Sequence, residues 1–171
     1  RLRIAGNFAT GVAVITAPKH QGDYRGLTMN AVTSLSLDPP LYLICLANNS
    51  NTLSAVRRQR HFAINFLSAR QIDVSKRFAS KDPNKFDGIK YFVGDTGCPI
   101  LSGVVAACEC KVKTIHQGGD HKIVVGSVEH IHLFKGDPLI FHQGKFISHD
   151  FYSPPRSGRK TKSNGAVAAT T

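Results

Sequence analysis

Tryptophan is absent from this 171-residue chain, methionine occurs once, and only 11 Asp and Glu offset 22 Lys and Arg. No apolar run is long enough to cross a bilayer as a helix, so a membrane partner is not expected. No Gly-x-Gly-x-x-Gly follows a first strand, which argues against a doubly wound dinucleotide-binding sheet. The four cysteines, Cys45, Cys98, Cys108 and Cys110, lack zinc-site spacing. Cys108-Glu109-Cys110 leaves one residue between its thiols, and no second Cys or His pair answers it. They read as reduced structural thiols, in keeping with a cytoplasmic protein that shows no targeting segment. The net charge of +11 asks for a negative partner, or serves solubility alone. With no tryptophan and with basic residues scattered along the chain, the interleaved basic and aromatic pattern of a nucleic-acid binder is missing.

What remains is ordinary for a globular protein: 42% hydrophobic and 19% charged residues, enough for one folded unit. The organisation expected is one domain over residues 1–152. The basic stretch 153–171, rich in Pro, Gly and Ser and without periodicity, reads as a disordered tail. Strand signals dominate, at Val12–Thr16, Leu41–Leu46, Phe62–Leu67, Val104–Ile115, Lys122–Phe134 and Lys145–Ile147. Gly118-Gly119 separates two of these as a hairpin would. Two short helices are expected. One starts after Ser50 or Asn51 and carries Leu53 and Val56; the other covers about Gln71–Ala79 and stops at Asp82-Pro83-Asn84. Long antiparallel runs with so little helix predict a mainly β fold closed into a barrel, which also hides its edges.

Four polar patches carry possible chemistry. Gly26–Ser36 packs Thr28, Asn30, Thr33, Ser34 and Ser36 into a short polar segment, closed by Asp38-Pro39-Pro40 before an apolar strand. Small side chains there let a flat ligand approach the backbone, while hydroxyls and N–H groups meet its polar edge. Asn48-Asn49-Ser50-Asn51-Thr52 lies between a strand end and a helix start, where free N–H groups and the helix dipole suit a phosphate; simple N-capping explains it equally. Arg77–Lys81 with Lys85–Gly88 mixes cations and phenylalanines, fitting either a phosphate with a flat ring or a solvated helix end. Gly118-Gly119-Asp120-His121 puts a histidine beside a carboxylate at a turn. His130 and His132 share one strand face, but no carboxylate cluster matches them in sequence, and no metal site is expected.

In their joint order these patches resemble the flavin reductase family that serves two-component flavin-dependent monooxygenases. The resemblance begins at Phe8-Ala9-Thr10-Gly11-Val12 and runs through Gly26-Leu27-Thr28-Met29-Asn30-Ala31, Ser34-Leu35-Ser36, Asp38-Pro39-Pro40 and Phe62-Ala63-Ile64-Asn65. It continues through Phe78-Ala79, Lys85-Phe86, Gly94–Pro99, Gly119-Asp120-His121 and Val125-Gly126-Ser127-Val128. It implies a split β-barrel, usually a homodimer, that passes hydride from NADH or NADPH to FMN or FAD, the reduced flavin then diffusing to a partner monooxygenase. By that pattern Thr28, Met29, Asn30, Ala31, Ser34 and Ser36 line the flavin. Ser50, Asn51 and Thr52 hold its phosphate, Phe78, Ala79 and Lys85 close over it, and His121 with Asp120 faces the nicotinamide. Met29 is a departure, since relatives often carry a small or polar residue there. The rival reading is a flavin carrier or sensor of the same fold without turnover; keeping Gly119-Asp120-His121 favours the enzyme.

Overall fold

The computed structural model describes residues 2–20 and 22–147, so residues 153–171, expected to be a disordered tail, lie outside the described residues. A short helix α1 (Leu2–Ala5) leads into β1 (Thr10–Gly11), β2 (Ala13–His20), β3 (Asp23–Met29), β4 (Val32–Leu37) and β5 (Pro40–Ala47). Helix α2 (Asn51–Gln59), β6 (His61–Phe66) and helix α3 (Ile72–Ala79) follow. The chain then forms β7 (Tyr91–Val93), β8 (Pro99–Leu101), the long pair β9 (Ala106–Gly118) and β10 (His121–Leu133), β11 (Ile140–His142) and β12 (Lys145–Ile147). None of the described helices is long and apolar enough to cross a membrane.

Seven strands form one antiparallel sheet in the order β3-β2-β6-β9-β10-β5-β4. Its two edges, β3 and β4, are consecutive in the chain, joined only by Asn30 and Ala31. Such a connection spans at most about 11 Å, so the sheet curls until its edges meet at that corner. No ladder joins β3 to β4 among the pairings, so the sheet is the split barrel that the family resemblance implies and not the closed barrel that the strand pattern alone predicts. A three-stranded sheet, β1-β11-β12, and the hairpin β7-β8 stand beside it.

Strand β2 shows why the middle of the sheet holds. Its residues alternate between two cores, and both faces are buried. Ala13, Ile15 and Ala17 face the cluster that contains Ile44, Leu46, Phe62, Val124 and, from α2, Leu53 and Val56. Val14, with Val12 just before the strand, faces the other, with Phe78 of α3, Ile100, Leu101 and Leu139. Buried Asn65 ties the layers together: its Nδ2 donates to Val14 O at 3.2 Å and Thr16 Oγ1 at 3.0 Å, and its Oδ1 accepts from Leu101 N at 2.8 Å.

The observed elements depart from the sequence-based expectation in several places. The polar segment Gly26–Ser36 is the end of β3, a corner, and most of β4; both are edge strands, and β4 exposes most of its residues, so apolar alternation never develops. Strand β2 runs past Thr16 through Pro18, because β6 pairs with it only as far as Thr16 and leaves that side open. Helix α3, by contrast, ends at Ala79 as expected: Ser80 turns extended and its Oγ donates to Arg77 O at 2.7 Å.

A second buried polar cluster lies across β9. Glu109 is fully buried and accepts from Asp95 N at 3.3 Å, Thr96 N at 2.7 Å, Thr96 Oγ1 at 2.5 Å and His132 Nε2 at 2.8 Å. Gly94 permits this, since a Cβ there would sit 2.4 Å from Glu109 Oε1. Burial pushes the Glu109 carboxyl up, but the bonds from Thr96, His132 and Asp95 outweigh it and hold it below the ordinary glutamate value. His130 and His132 thus do meet carboxylates, Asp95 at 3.5 Å and Glu109 at 2.8 Å, which the sequence separation concealed.

Candidate functional site

Strand β3 and the corner after it connect two grooves. The first, of about 580 Å³, lies between Tyr24–Leu27 of β3, the β5–α2 corner (Asn49, Ser50, Asn51, Thr52) and the loop after α3 (Ser80–Pro83, Lys85, Phe86). The second, of about 630 Å³, is lined by Phe8, Thr10, Asn30, Ala31, Thr33, Ser34, Tyr42 and Phe66. Both lie in the size range of ligand clefts, roughly 300–1,000 Å³.

At the first groove, Ser50 is the N-cap of α2, its Oγ accepting from Thr52 N at 3.2 Å and Leu53 N at 3.4 Å. Capping therefore explains one role of Ser50, while its hydroxyl hydrogen remains available to a ligand oxygen. No acidic residue occupies the first turn of α2, so its positive end is uncompensated within the helix. Across the groove, Lys85 Nζ donates to Phe78 O at 2.8 Å and Gly26 O at 3.4 Å. Burial lowers the Lys85 pKa below the ordinary lysine value, with Asp82 opposing. Arg77 pins the loop that carries it, donating from Nε to Lys85 O at 2.8 Å and from Nη2 to Asn84 O at 2.9 Å.

The groove floor is aromatic. Phe78 is fully buried against Gly26, where a Cβ would come within 2.6 Å of the ring, and it packs edge-on to Phe86 at 5.0 Å. Phe86 in turn meets Tyr24 and Tyr91 at 5.7 and 5.5 Å. Phe78 thus sits beneath β3, and its carbonyl, which anchors Lys85, is its link to the groove.

In the second groove Thr10 Oγ1 is buried with no hydrogen-bond partner, alone in this among the side-chain oxygens and nitrogens of the described residues. A buried hydroxyl left unpaired costs about 1–3 kcal/mol, and the residue that carries it lines a cleft that a ligand with polar edges could fill. The residues fit a flavin on this ground: neutral donors and acceptors (Thr10, Asn30, Thr33, Ser34) in one groove, a helix N-terminus and a lysine in the other, and a shared backbone strand between. Thr10 was not singled out by sequence; its only signal was a place in the Phe8–Val12 segment.

Of the residues predicted from sequence, Ser50, Asn51, Thr52 and Lys85 line the first groove, and Asn30, Ala31 and Ser34 the second. Thr28, Met29, Ser36, Phe78 and Ala79 line neither. Thr28 Oγ1 donates to Ser75 O at 2.7 Å, tying β3 to α3. Met29 is 9% exposed and belongs to the inner core, so its backbone is what it can offer a ligand. Ser36 follows an irregularity in the β4–β5 ladder, and Ala79 is exposed at the end of α3. Asp120 and His121 occupy the β9–β10 hairpin tip, His121 Nδ1 lying 2.7 Å from Asp120 Oδ1. The His121 ring holds the Asp120 carboxyl below its ordinary value. The tip docks beside the β5–α2 corner: Asn48 N donates to Asp120 O at 3.0 Å and Asn48 Nδ2 to Gly119 O at 3.2 Å.

A family profile described as flavin reductase like domain matches residues 5–149, and the chain belongs to that family. The reductase subunit HsaB of a flavin-dependent monooxygenase from Mycobacterium tuberculosis is 38% identical over 146 residues, 84% of this chain and 78% of that protein. The FMN reductase (NADH) SmoA of Agrobacterium fabrum is 41% identical over 141 residues, 82% of this chain and 80% of its own. Among solved structures, the NADH:FAD oxidoreductase SgcE6 of Streptomyces globisporus in complex with NAD and FAD fragments is similar at a TM-score of 0.83. It is 31% identical, over 92% of this chain and 93% of that one.

Proposed function

We propose that this protein is an NAD(P)H-dependent flavin reductase that delivers reduced FMN or FAD to a partner monooxygenase. The observation that carries the reading is that one stretch of chain borders both grooves, Tyr24–Leu27 at the first and Asn30–Ser34 at the second, and presents backbone, hydroxyl and amide groups and the Arg25 cation with no nucleophile or carboxylate. Hydride transfer between nicotinamide and flavin is chemistry the two nucleotides supply themselves. The task left to the chain is binding, orientation and charge balance.

In this reading Asn30, Ala31 and Ser34, with the unpaired Thr10 hydroxyl, meet the polar edge of the flavin ring. Ser50, Asn51 and Thr52 at the start of α2, together with Lys85, hold its phosphate. His121, oriented by Asp120, faces the nicotinamide nucleotide. The working unit is a homodimer: β4 is a sheet edge with Leu35 46% and Leu37 90% exposed, and Phe8 at 77% stands at the second groove. A partner copy would cover that apolar edge. Residues 1–152 form the catalytic domain. The free thiols of Cys45, Cys98, Cys108 and Cys110 accord with a cytoplasmic setting.

The test is NADH and NADPH oxidation by the purified protein with and without FMN, FAD and riboflavin. Flavin-dependent oxidation is the expected result; no oxidation with any combination overturns the reading.

A further inference from the structure

A smaller groove of about 250 Å³ opens beside the first, between the β2–β3 hairpin and α2. It is lined by Lys19, Arg25, Asn51, Ser54, Ala55 and Arg58, and it shares Arg25 and Asn51 with the larger groove. It is below the usual size of an independent ligand site, roughly 300 Å³ and upward, so it serves as an extension of its neighbour.

Its walls are built for a phosphate. Asn51, Ser54, Ala55 and Arg58 follow i, i+3, i+4, i+7 spacing and so share one face of α2. The small side chains at 54 and 55 leave room, and Arg58 stands at the far end. Gln59 Nε2 donates to Lys19 O at 2.6 Å, fixing the end of α2 against β2. Opposite, Asp23 bridges Lys19 at 3.1 Å and Arg25 at 2.8 Å. One carboxylate thus serves two cations, while Arg58 has neither an ion pair nor a side-chain hydrogen bond among the described residues. Three cations around one carboxylate leave the groove positive, and the arginine fork suits phosphate oxygens.

Resting on the flavin reading, we propose that this groove is a subsite for the second phosphate of FAD, the one on its adenosine. The flavin's own phosphate occupies the Ser50–Thr52 corner in that reading. FMN ends there, whereas FAD continues by one more phosphate, and Arg25 and Asn51 border both grooves. Arg58 is then a specificity residue that separates FAD from FMN. The 2′-phosphate of NADPH has similar chemistry, and the test separates the two.

The experiment is a binding titration of wild type, Arg58→Ala and Arg58→Lys with riboflavin, FMN, FAD and ADP, with KM for NADH and NADPH measured alongside. Arg58 is exposed in the last turn of α2, and far-ultraviolet circular dichroism checks that each variant is folded. The expected result is FAD and ADP weakened about three- to tenfold in Arg58→Ala, partly restored in Arg58→Lys, with FMN and riboflavin changed less than twofold. Equal weakening of FMN and FAD, or no change in either, overturns the subsite while leaving the reductase reading intact. A raised KM for NADPH alone, with FAD binding unchanged, also overturns it and assigns the groove to the hydride donor. Failure of wild type to bind any flavin overturns the reductase reading and this subsite together.

Discussion

Glu109 and Thr10 each place a polar side-chain oxygen in the interior, yet Glu109 accepts four hydrogen bonds and Thr10 Oγ1 makes none. Around Glu109 the chain supplies every partner itself: a glycine that clears space, two backbone N–H groups, a hydroxyl and a histidine. Around Thr10 it supplies a groove. Buried polar groups that the protein satisfies hold the fold together. Those it leaves open, beside a cleft, are stability given up for a ligand. The Ser50 corner lies between these cases, capping its own helix while keeping donors toward the groove.

The contrast can be broken most forcefully at Glu109. Glu109→Ala strands the donors of Asp95, Thr96 and His132 and is expected to cost roughly 3 kcal/mol or more, at about 1–3 kcal/mol for each buried group left unpaired. Urea unfolding checks it. The same site gives a pH dependence. The folded pKa lies below the unfolded glutamate value of about 4.3. Ionised Glu109 therefore adds stability above that value, and the contribution is lost as pH falls through the lowered folded pKa. The difference in stability between wild type and Glu109→Gln should shrink below about pH 4; a difference that stays constant or grows on acidification contradicts the clamp.

Next in size is Lys85→Met, which removes a partly buried cation from the first groove. Charge-assisted hydrogen bonds contribute about 1.5–3 kcal/mol, so FMN binding should weaken about tenfold or more while riboflavin, without a phosphate, changes little. Equal loss for both flavins would place Lys85 in loop structure alone. His121→Ala is expected to raise KM for NAD(P)H several-fold, with KM for flavin little altered. Equal effects on the two substrates would remove His121 from the nicotinamide side.

Much of the fold was legible because buried strands advertise themselves. Val12–Thr16, Phe62–Leu67 and the two long runs either side of Gly118-Gly119 are apolar on the faces they bury, and each lies largely within an observed ladder, the first from Ala13 onward. The hairpin β7-β8 was not legible, since Tyr91, Phe92 and Val93 are exposed and its turn exists to grip Glu109, a partner fourteen residues from Asp95. Nor could β3 and β4 be read as strands from hydroxyl-rich edges. The site followed the same rule. Ser50 and Asn51 carry a local capping signature, whereas Thr10, Arg25 and Arg58 become part of a groove only when distant elements pack. Phe78 and Met29 sat in motifs that resemble the family's, but the geometry gives their side chains to the core.

The division between the two kinds of polar group is tested most directly by the rise in Tm that FMN produces in wild type, Thr10→Val and Glu109→Gln. Ligand binding to the folded state raises Tm with the logarithm of ligand concentration over Kd, so the rise reports affinity at a fixed FMN concentration. Thr10→Val should melt at or above the wild-type temperature without ligand, because an unpaired hydroxyl is gone, and should lose part of the FMN-induced rise. Glu109→Gln should melt lower and keep that rise. A Thr10→Val protein that melts lower yet responds fully to FMN would contradict the account.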